Sequence, residues 1–223
     1  MTDQKTTPIT IDLHTHSAGS RDGGITLEQY RTLLNDNRLD YIAITDHDGI
    51  AQARHIHDKL GERIIIGEEI STTEGDLIGL YLKKPVPAGL SAKKTVRLIK
   101  EQDGLVYLPH PFETIRHGLD EATMDTISED IDIVETCNGR AFAQNRSERA
   151  LLWAKLHQKP AAASSDAHGI RGIGATYTTI HESPTRTNLP KLLERARLTY
   201  QKPPKVSLLY PKYHTIKKKF IRS

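Results

Sequence analysis

The sequence holds one cysteine, Cys137, among 223 residues. A lone thiol excludes an intramolecular disulfide framework and any zinc site built from cysteines, and it agrees with a reducing, cytoplasmic setting. Long apolar runs are missing as well. None approaches the roughly 18 residues that a membrane helix requires, so no membrane partner is expected. The opening Met1-Thr2-Asp3-Gln4-Lys5 is polar and lacks the apolar segment of a signal peptide. There is no Gly-rich phosphate loop, no nucleotide-fold signature and no Gly-x-Ser-x-Gly elbow. Internal repeats and low-complexity stretches are absent too. What is present is ordinary: 37% hydrophobic residues and a mean hydropathy of −0.50, with ample chain for a core.

The formal charge of +3 conceals an asymmetry. From Lys202 to Ser223 there are seven Lys or Arg and no Asp or Glu; removing those seven from the 31 basic residues leaves 24 against 28 acidic, a balance of −4. An acidic body suits a site that holds cations. Residues 201–223 read as a basic tail, either a solvated segment or a contact for nucleic acid or another anionic partner.

Strand patterns alternate with helix patterns along residues 1–200, which read as one domain. Strands are expected at 9–13, 41–45, 63–67, 77–82, 105–108, 131–136, 160–163 and 175–180. Helices are expected from Thr26 to about Asn35, 50–60, from a Ser91 cap to about Gln102, 119–127, 142–157 and 189–198. The short polar turn 73–76 makes the third and fourth strands a candidate antiparallel hairpin. Leu151, Leu152 and Trp153 read as core. This alternation argues for an α/β fold with a mostly parallel sheet.

Potential metal-binding side chains cluster just after strands. Asp12-Leu13-His14-Thr15-His16-Ser17 follows the first strand, and two histidines two apart on an extended chain point the same way. Asp12 is placed to orient an imidazole ring. His47 ends the second strand, Glu69 follows the third, His110 the fifth, and Asp166 and His168 the seventh; Asp22 sits in the first loop. In a closed barrel those ends converge on one face, whereas an open sheet would disperse them. Imidazole and carboxylate without thiolate suit Mn, Zn or Fe. Eight donors exceed the needs of one ion, so two or three ions sharing Glu69 or Asp166 are expected. Adjacent divalent ions lower the pKa of bound water and clamp the oxygens of an in-line displacement at phosphorus.

These motifs resemble those of the PHP (polymerase and histidinol phosphatase) family over about residues 9–180. Asp12-Leu13-His14-Thr15-His16-Ser17 is similar to its first motif, Thr45-Asp46-His47 to its second, Gly67-Glu68-Glu69-Ile70-Ser71 to its glutamate motif, Pro109-His110-Pro111 to its His-Pro motif and Asp166-Ala167-His168 to its last. The resemblance implies a distorted seven-stranded (β/α)7 barrel and a phosphoesterase in which a metal-bound hydroxide attacks a phosphate ester of a small metabolite or nucleotide. It makes Glu69 the bridging carboxylate and Glu68 a neighbour, places Asp22 where some members carry histidine, and leaves Asp76 as either a further ligand or a turn carboxylate. Asp46, Glu69 and Asp166 are the catalytic candidates, Asp46 as a ligand's partner, a contact of the bridging water or a helix cap. Asn138, Arg140 and Arg171 are candidates for binding phosphate, and Arg116 and His117 for facing substrate. His55, His57, His157, His181 and His214 read as surface residues. A nuclease trimming nucleic acid ends is the alternative activity, and a metal-binding module without turnover the alternative class.

Overall fold

The computed structural model describes residues 7–140 and 144–222, without the side chains of 144–146 and 221–222. Nine strands form one sheet: β1 (Ile9–Asp12), β2 (Tyr41–Ile44), β3 (Ile64–Ser71), β4 (Asp76–Leu80), β5 (Leu105–Leu108), β6 (Ile133–Asn138), β7 (Ala161–Ser164), β8 (Thr176–Ile180) and β9 (Arg197–Tyr200). Their spatial order is β7-β6-β5-β4-β3-β2-β1-β8-β9. β1, β2 and β3 pair in parallel, as do β5, β6 and β7. β4 is antiparallel to both neighbours, the hairpin anticipated from the 73–76 turn.

The fold is α/β with a nearly closed barrel, but not the seven-stranded (β/α)7 barrel expected. Two strands change the count. β8 lies antiparallel to β1 and faces β7 across the seam. There the Thr178 hydroxyl donates to the Ala163 carbonyl and accepts from its N–H, both at 2.9 Å. β9 occupies the other edge of β8. The helix expected over 189–198 is accordingly short, α6 (Leu189–Leu193), because Arg197-Leu198-Thr199-Tyr200 continues the sheet instead.

The remaining helices are α1 (Leu27–Asn35), α2 (Ala51–Leu60), α3 (Ala92–Lys100), α4 (Glu121–Thr126), α5 (Gln144–Leu156) and α7 (Tyr210–Arg222). Local chemistry sets their starts. Thr26 and Gln29 form a reciprocal capping box on α1, and Ser91 and Asp120 cap α3 and α4. None of the described helices is long and apolar enough to cross a membrane.

Strand alternation divides the core into layers. Ala43, Ile65, Leu105, Tyr107 and Ile133 pack together as one cluster. Their sequence neighbours pack the other way, Ile42, Ile44 and Ile64 against α1 and α2, and Val106, Leu108 and Val134 against Val96, Met124 and Trp153. Strands covered on both faces read as unbroken apolar runs, as these do. Of the expected 151–153 core, only Trp153 is buried; Leu151 and Leu152 are 38% and 59% exposed, on the outer side of α5. Residues 201–223, read as a tail, contain α7, which lies against two loops of the site described next.

Candidate metal centre

Because the six mutually parallel strands end on one face, the side chains that follow them meet there. Register decides which carboxylate of Glu68-Glu69 takes part. Both lie within β3, whose successive side chains point to opposite faces. Glu68 turns outward and accepts the Val86 N–H at 2.8 Å. Glu69 turns inward: its Oε2 lies 3.3 Å from His14 Nε2, 3.2 Å from His16 Nε2 and 3.4 Å from His47 Nδ1, and its Oε1 lies 3.0 Å from His110 Nε2. One buried carboxylate thus faces four imidazoles.

Two more carboxylates complete the cluster. Asp166 Oδ1 is 3.5 Å from His16 Nε2 and 3.7 Å from His14 Nε2. Asp22 Oδ2 is 3.2 Å from His168 Nε2 and 3.6 Å from His47 Nε2. Three overlapping groups have the spacing of shared ligands: His14-His16-Asp166, His14-Glu69-His110 and His16-Asp22-His47-His168, each with donor atoms within 4.8 Å of one another. All eight expected ligands therefore come together. Backbone conformation contributes, since His110 and Asp166 have φ of 29° and 50°, a region that costs a non-glycine residue roughly 1–3 kcal/mol.

The donor set suits divalent cations. Glu135 orients His14: a carboxylate only accepts, so the 3.2 Å contact to Glu135 Oε1 puts a proton on Nδ1, and Nε2 is then the nitrogen that would offer its lone pair to a bound cation. His14 Nε2 is 3.1 Å from His16 Nε2 and 3.3 Å from Glu69 Oε2, so both rings and the carboxylate present donor atoms to the same point. His47 Nδ1 and His168 Nε2 are buried and make no hydrogen bond, while facing Glu69 and Asp22. The arrangement can hold divalent metal.

Electrostatics favours the same conclusion. Burial works against charge on Glu69, yet His47 and His14 and the hydrogen bond from His110 hold its carboxyl well below the usual range. Burial likewise opposes ionisation of Asp166, and Arg140 and His14 overcome it. Asp22 is lowered despite burial by the neighbouring His168 and His47 rings. Burial also works against charge on His16, but Asp166 and Glu69 raise it to about 9. For His168, burial, His16 and Arg140 act together and push it down to about 3. Buried Glu69 and Asp166 and the partly buried Asp22 thus keep their charge and demand positive charge beside them, from protons or from metal ions.

Around the cluster lies an open cleft of about 190 Å³. Arg21, Arg116, His117 and Arg140 line it with the ligands. Arg140 Nη1 contacts Asp166 Oδ1 at 3.0 Å, and Arg116 Nη1 contacts Asp166 Oδ2 at 2.8 Å and Asn138 Oδ1 at 2.6 Å. Asn138 is not among the residues lining the cleft; its amide oxygen accepts from Arg116 and orients it. Arg171 is exposed and lies outside the cleft lining. Asp46 also departs from expectation, since its carboxylate accepts the Ser17 N–H at 2.6 Å and tethers the first loop. Asp12 takes no imidazole; it accepts from the Ser165 and His14 N–H groups and joins the ends of β1 and β7. Asp76 lines the cleft, pushed up to about 7 by burial and by the Glu69 charge, but belongs to none of the three groups.

Sequence reasoning gave no role to Glu135, which accepts four bonds: Tyr107 hydroxyl and His14 Nδ1 on Oε1, and the His110 N–H and Asn138 Nδ2 on Oε2. An acid within the buried run Ile133-Val134-Glu135 was the available signal, because a buried charge needs partners.

A family model described as PHP-associated matches residues 144–197. An uncharacterised protein of Methanocaldococcus jannaschii is 36% identical over 140 residues, 57% of this chain and 80% of that protein. The chain belongs to the PHP family. Among solved structures, it is similar to a two-domain protein from Bacteroides vulgatus containing a predicted PHP-like metal-dependent phosphoesterase. The TM-score there is 0.71 at 18% identity, over 95% of this chain and 71% of that one. It also resembles the lesion-specific endonuclease EndoQ from Pyrococcus furiosus, with a TM-score of 0.63 at 15% identity over 86% and 58% of the two chains. At such identities these two likenesses speak for the PHP fold alone.

Proposed function

We propose that this chain is a metal-dependent phosphoesterase that hydrolyses a phosphate ester of a small metabolite or nucleotide. In this reading His14, His16, Asp22, His47, Glu69, His110, Asp166 and His168 hold two or three divalent ions of Mn, Zn or Fe. The observation that carries it is Glu69, whose two carboxylate oxygens face imidazoles on both sides, the disposition of a bridging ligand. Bound there, such ions supply Lewis acidity toward phosphoryl oxygens and an activated water at neutral pH.

The chain's own residues do the rest. Glu135 holds His14 in the tautomer that presents Nε2. Arg116 and Arg140 reach the cleft wall from the far side of Asp166, where guanidinium groups can take phosphate oxygens in bidentate fashion. Asn138 keeps Arg116 aimed. An Arg in place carries fixed positive charge to where the phosphoryl group gains negative charge.

A nuclease is the second reading. A groove lined by Gly19, Arg21, His47, Asp48, Thr215, Lys218 and Lys219 adjoins the cleft, sharing Arg21 and His47 with it. The test is phosphate release in Mn²⁺ from a panel of sugar phosphates and nucleotides beside end-labelled oligonucleotides. Turnover of small esters, abolished in His14→Ala and insensitive to salt, supports the first reading. Oligonucleotide cleavage that weakens steeply with salt supports the second. Metal binding without turnover of either substrate class would replace both with a binding module.

A further inference from the structure

Helix α7 presents three side chains at successive i+4 positions to the site. Tyr210, His214 and Lys218 fall on one face of the helix, and each meets a loop that carries a proposed ligand. The Tyr210 ring lies over Gly169, the residue after His168, so closely that a Cβ there would come within 2.5 Å of it. The His214 ring lies over Gly24, two residues after Asp22, where a Cβ would come within 2.1 Å. Lys218 Nζ donates to the carbonyls of Ala18 and Gly23, each at 2.8 Å, and to that of Ser20.

An ammonium has three protons to donate and no acceptor capacity. All three are used on a single loop, 18–23, which turns around the lysine as it would around a bound cation. The same loop ends on Asp22, and Ser20 Oγ donates to Asp22 Oδ1 at 2.9 Å. The two other ligand groups are built from buried residues in β3 or within four residues of the ends of β1, β5 and β7, His16 being shared with the Asp22 group. Only the Asp22 group takes a ligand from the 18–23 loop, whose carbonyls are gathered by a side chain more than 190 residues away.

We propose that α7 is a strap on the metal centre, in which Lys218 is a positioning residue that fixes the 18–23 loop and so sets the Asp22 ligand of the ion position made by His16, Asp22, His47 and His168. This rests on the metal reading above and adds to it that one ion position is set separately from the others. Tyr210 and His214 hold the strap down through Gly169 and Gly24, which need to be glycine for the helix to sit so close.

The experiment compares wild type with Lys218→Met, which keeps the aliphatic stem but removes the three donors, and with Gly169→Ala, which pushes Tyr210 away. Mn²⁺ titration counts ions and their affinities, and hydrogen exchange follows the 17–24 amides in metal-free protein. The expected result is a ten- to hundredfold weaker affinity for one class of ion in both variants, the other class unchanged, with faster exchange confined to 17–24 and to α7. Wild-type ion binding and wild-type exchange in Lys218→Met would overturn the strap. So would equal weakening of every ion with a general loss of exchange protection, since Lys218 would then be a global stabilising contact. If wild type takes up no Mn²⁺, the metal reading fails and the ion position with it, whereas altered exchange at 17–24 would still show the loop to be held by Lys218.

Discussion

Replacing Glu135 by Gln isolates the group that sets the ligand geometry without emptying the space it fills. The carboxylate accepts from two donors on each oxygen: Tyr107 and His14 on one side, the His110 N–H and Asn138 on the other. An amide has one accepting oxygen, so its NH2 must confront one of those pairs. Turning the NH2 toward the His110 N–H opposes two donors that cannot reverse, short of Asn138 giving up its acceptor contacts to Arg116 and Arg140. Turning it toward Tyr107 and His14 is easier. The Tyr107 hydroxyl can donate to Ser164 Oγ, 2.8 Å away, and His14 can accept at Nδ1 if its proton moves to Nε2.

That relief has a consequence for metal binding, because Nε2 is the atom that faces Glu69 and His16. Folding should lose only about 1–3 kcal/mol, the cost of a buried polar group left without its partner. The melting temperature of metal-free protein should then fall by roughly 2–12 °C, at about 2–4 °C per kcal/mol for a chain of this size. Affinity for divalent ions should fall about 10- to 100-fold, as it does when the carboxylate behind a ligating histidine is lost. The assays are thermal unfolding in chelator and Mn²⁺ titration. Glu135→Gln that binds Mn²⁺ as tightly as wild type would refute the assignment of the His14 tautomer and of Nε2 as its ligand atom.

Two other perturbations test the frame. Thr178→Val removes the hydroxyl that serves both backbone groups of Ala163 at the seam between β7 and β8; stability should drop by about 1–3 kcal/mol for the buried N–H left unpaired, and an unchanged urea midpoint would mean the seam is held otherwise. Burial and the Glu135 charge push the Cys137 thiol up to about 11 from 9.0. Its reaction with a disulfide reagent at pH 8 should therefore run about a hundredfold slower in folded than in unfolded protein, the thiolate fraction falling tenfold per pKa unit. Equal rates would contradict the burial of that side of β6.

Most of the proposed ligands were legible because they follow a strand closely, and parallel strands deliver their ends to one face whatever the details of the sheet; Glu69 lies inside β3 and Asp22 in the loop after β1. Glu69 could be told from Glu68 by motif order, and strand alternation gives the physical reason. Residues acting across the fold were not legible. Asp46 and Asn138 sit beside site residues in sequence, yet their side chains turn to Ser17 and Arg116. β9 was taken for the end of a helix because its pairing partner, the open edge of β8, is a tertiary feature. Nothing local in Lys202 to Ser223 distinguishes a solvated basic segment from a helix whose lysine reaches the carbonyls of a loop near the other end of the chain.

The central claim is that Glu69 bridges metal ions, and a metal count on Glu69→Gln tests it most directly. Protein reconstituted with Mn²⁺ and freed of excess should carry two or more ions per chain in wild type. Glu69→Gln, similar in shape, should carry fewer than one, because the lost charge is shared by neighbouring ion positions. Wild type with no bound ion, or a variant that retains the full complement, would contradict the account.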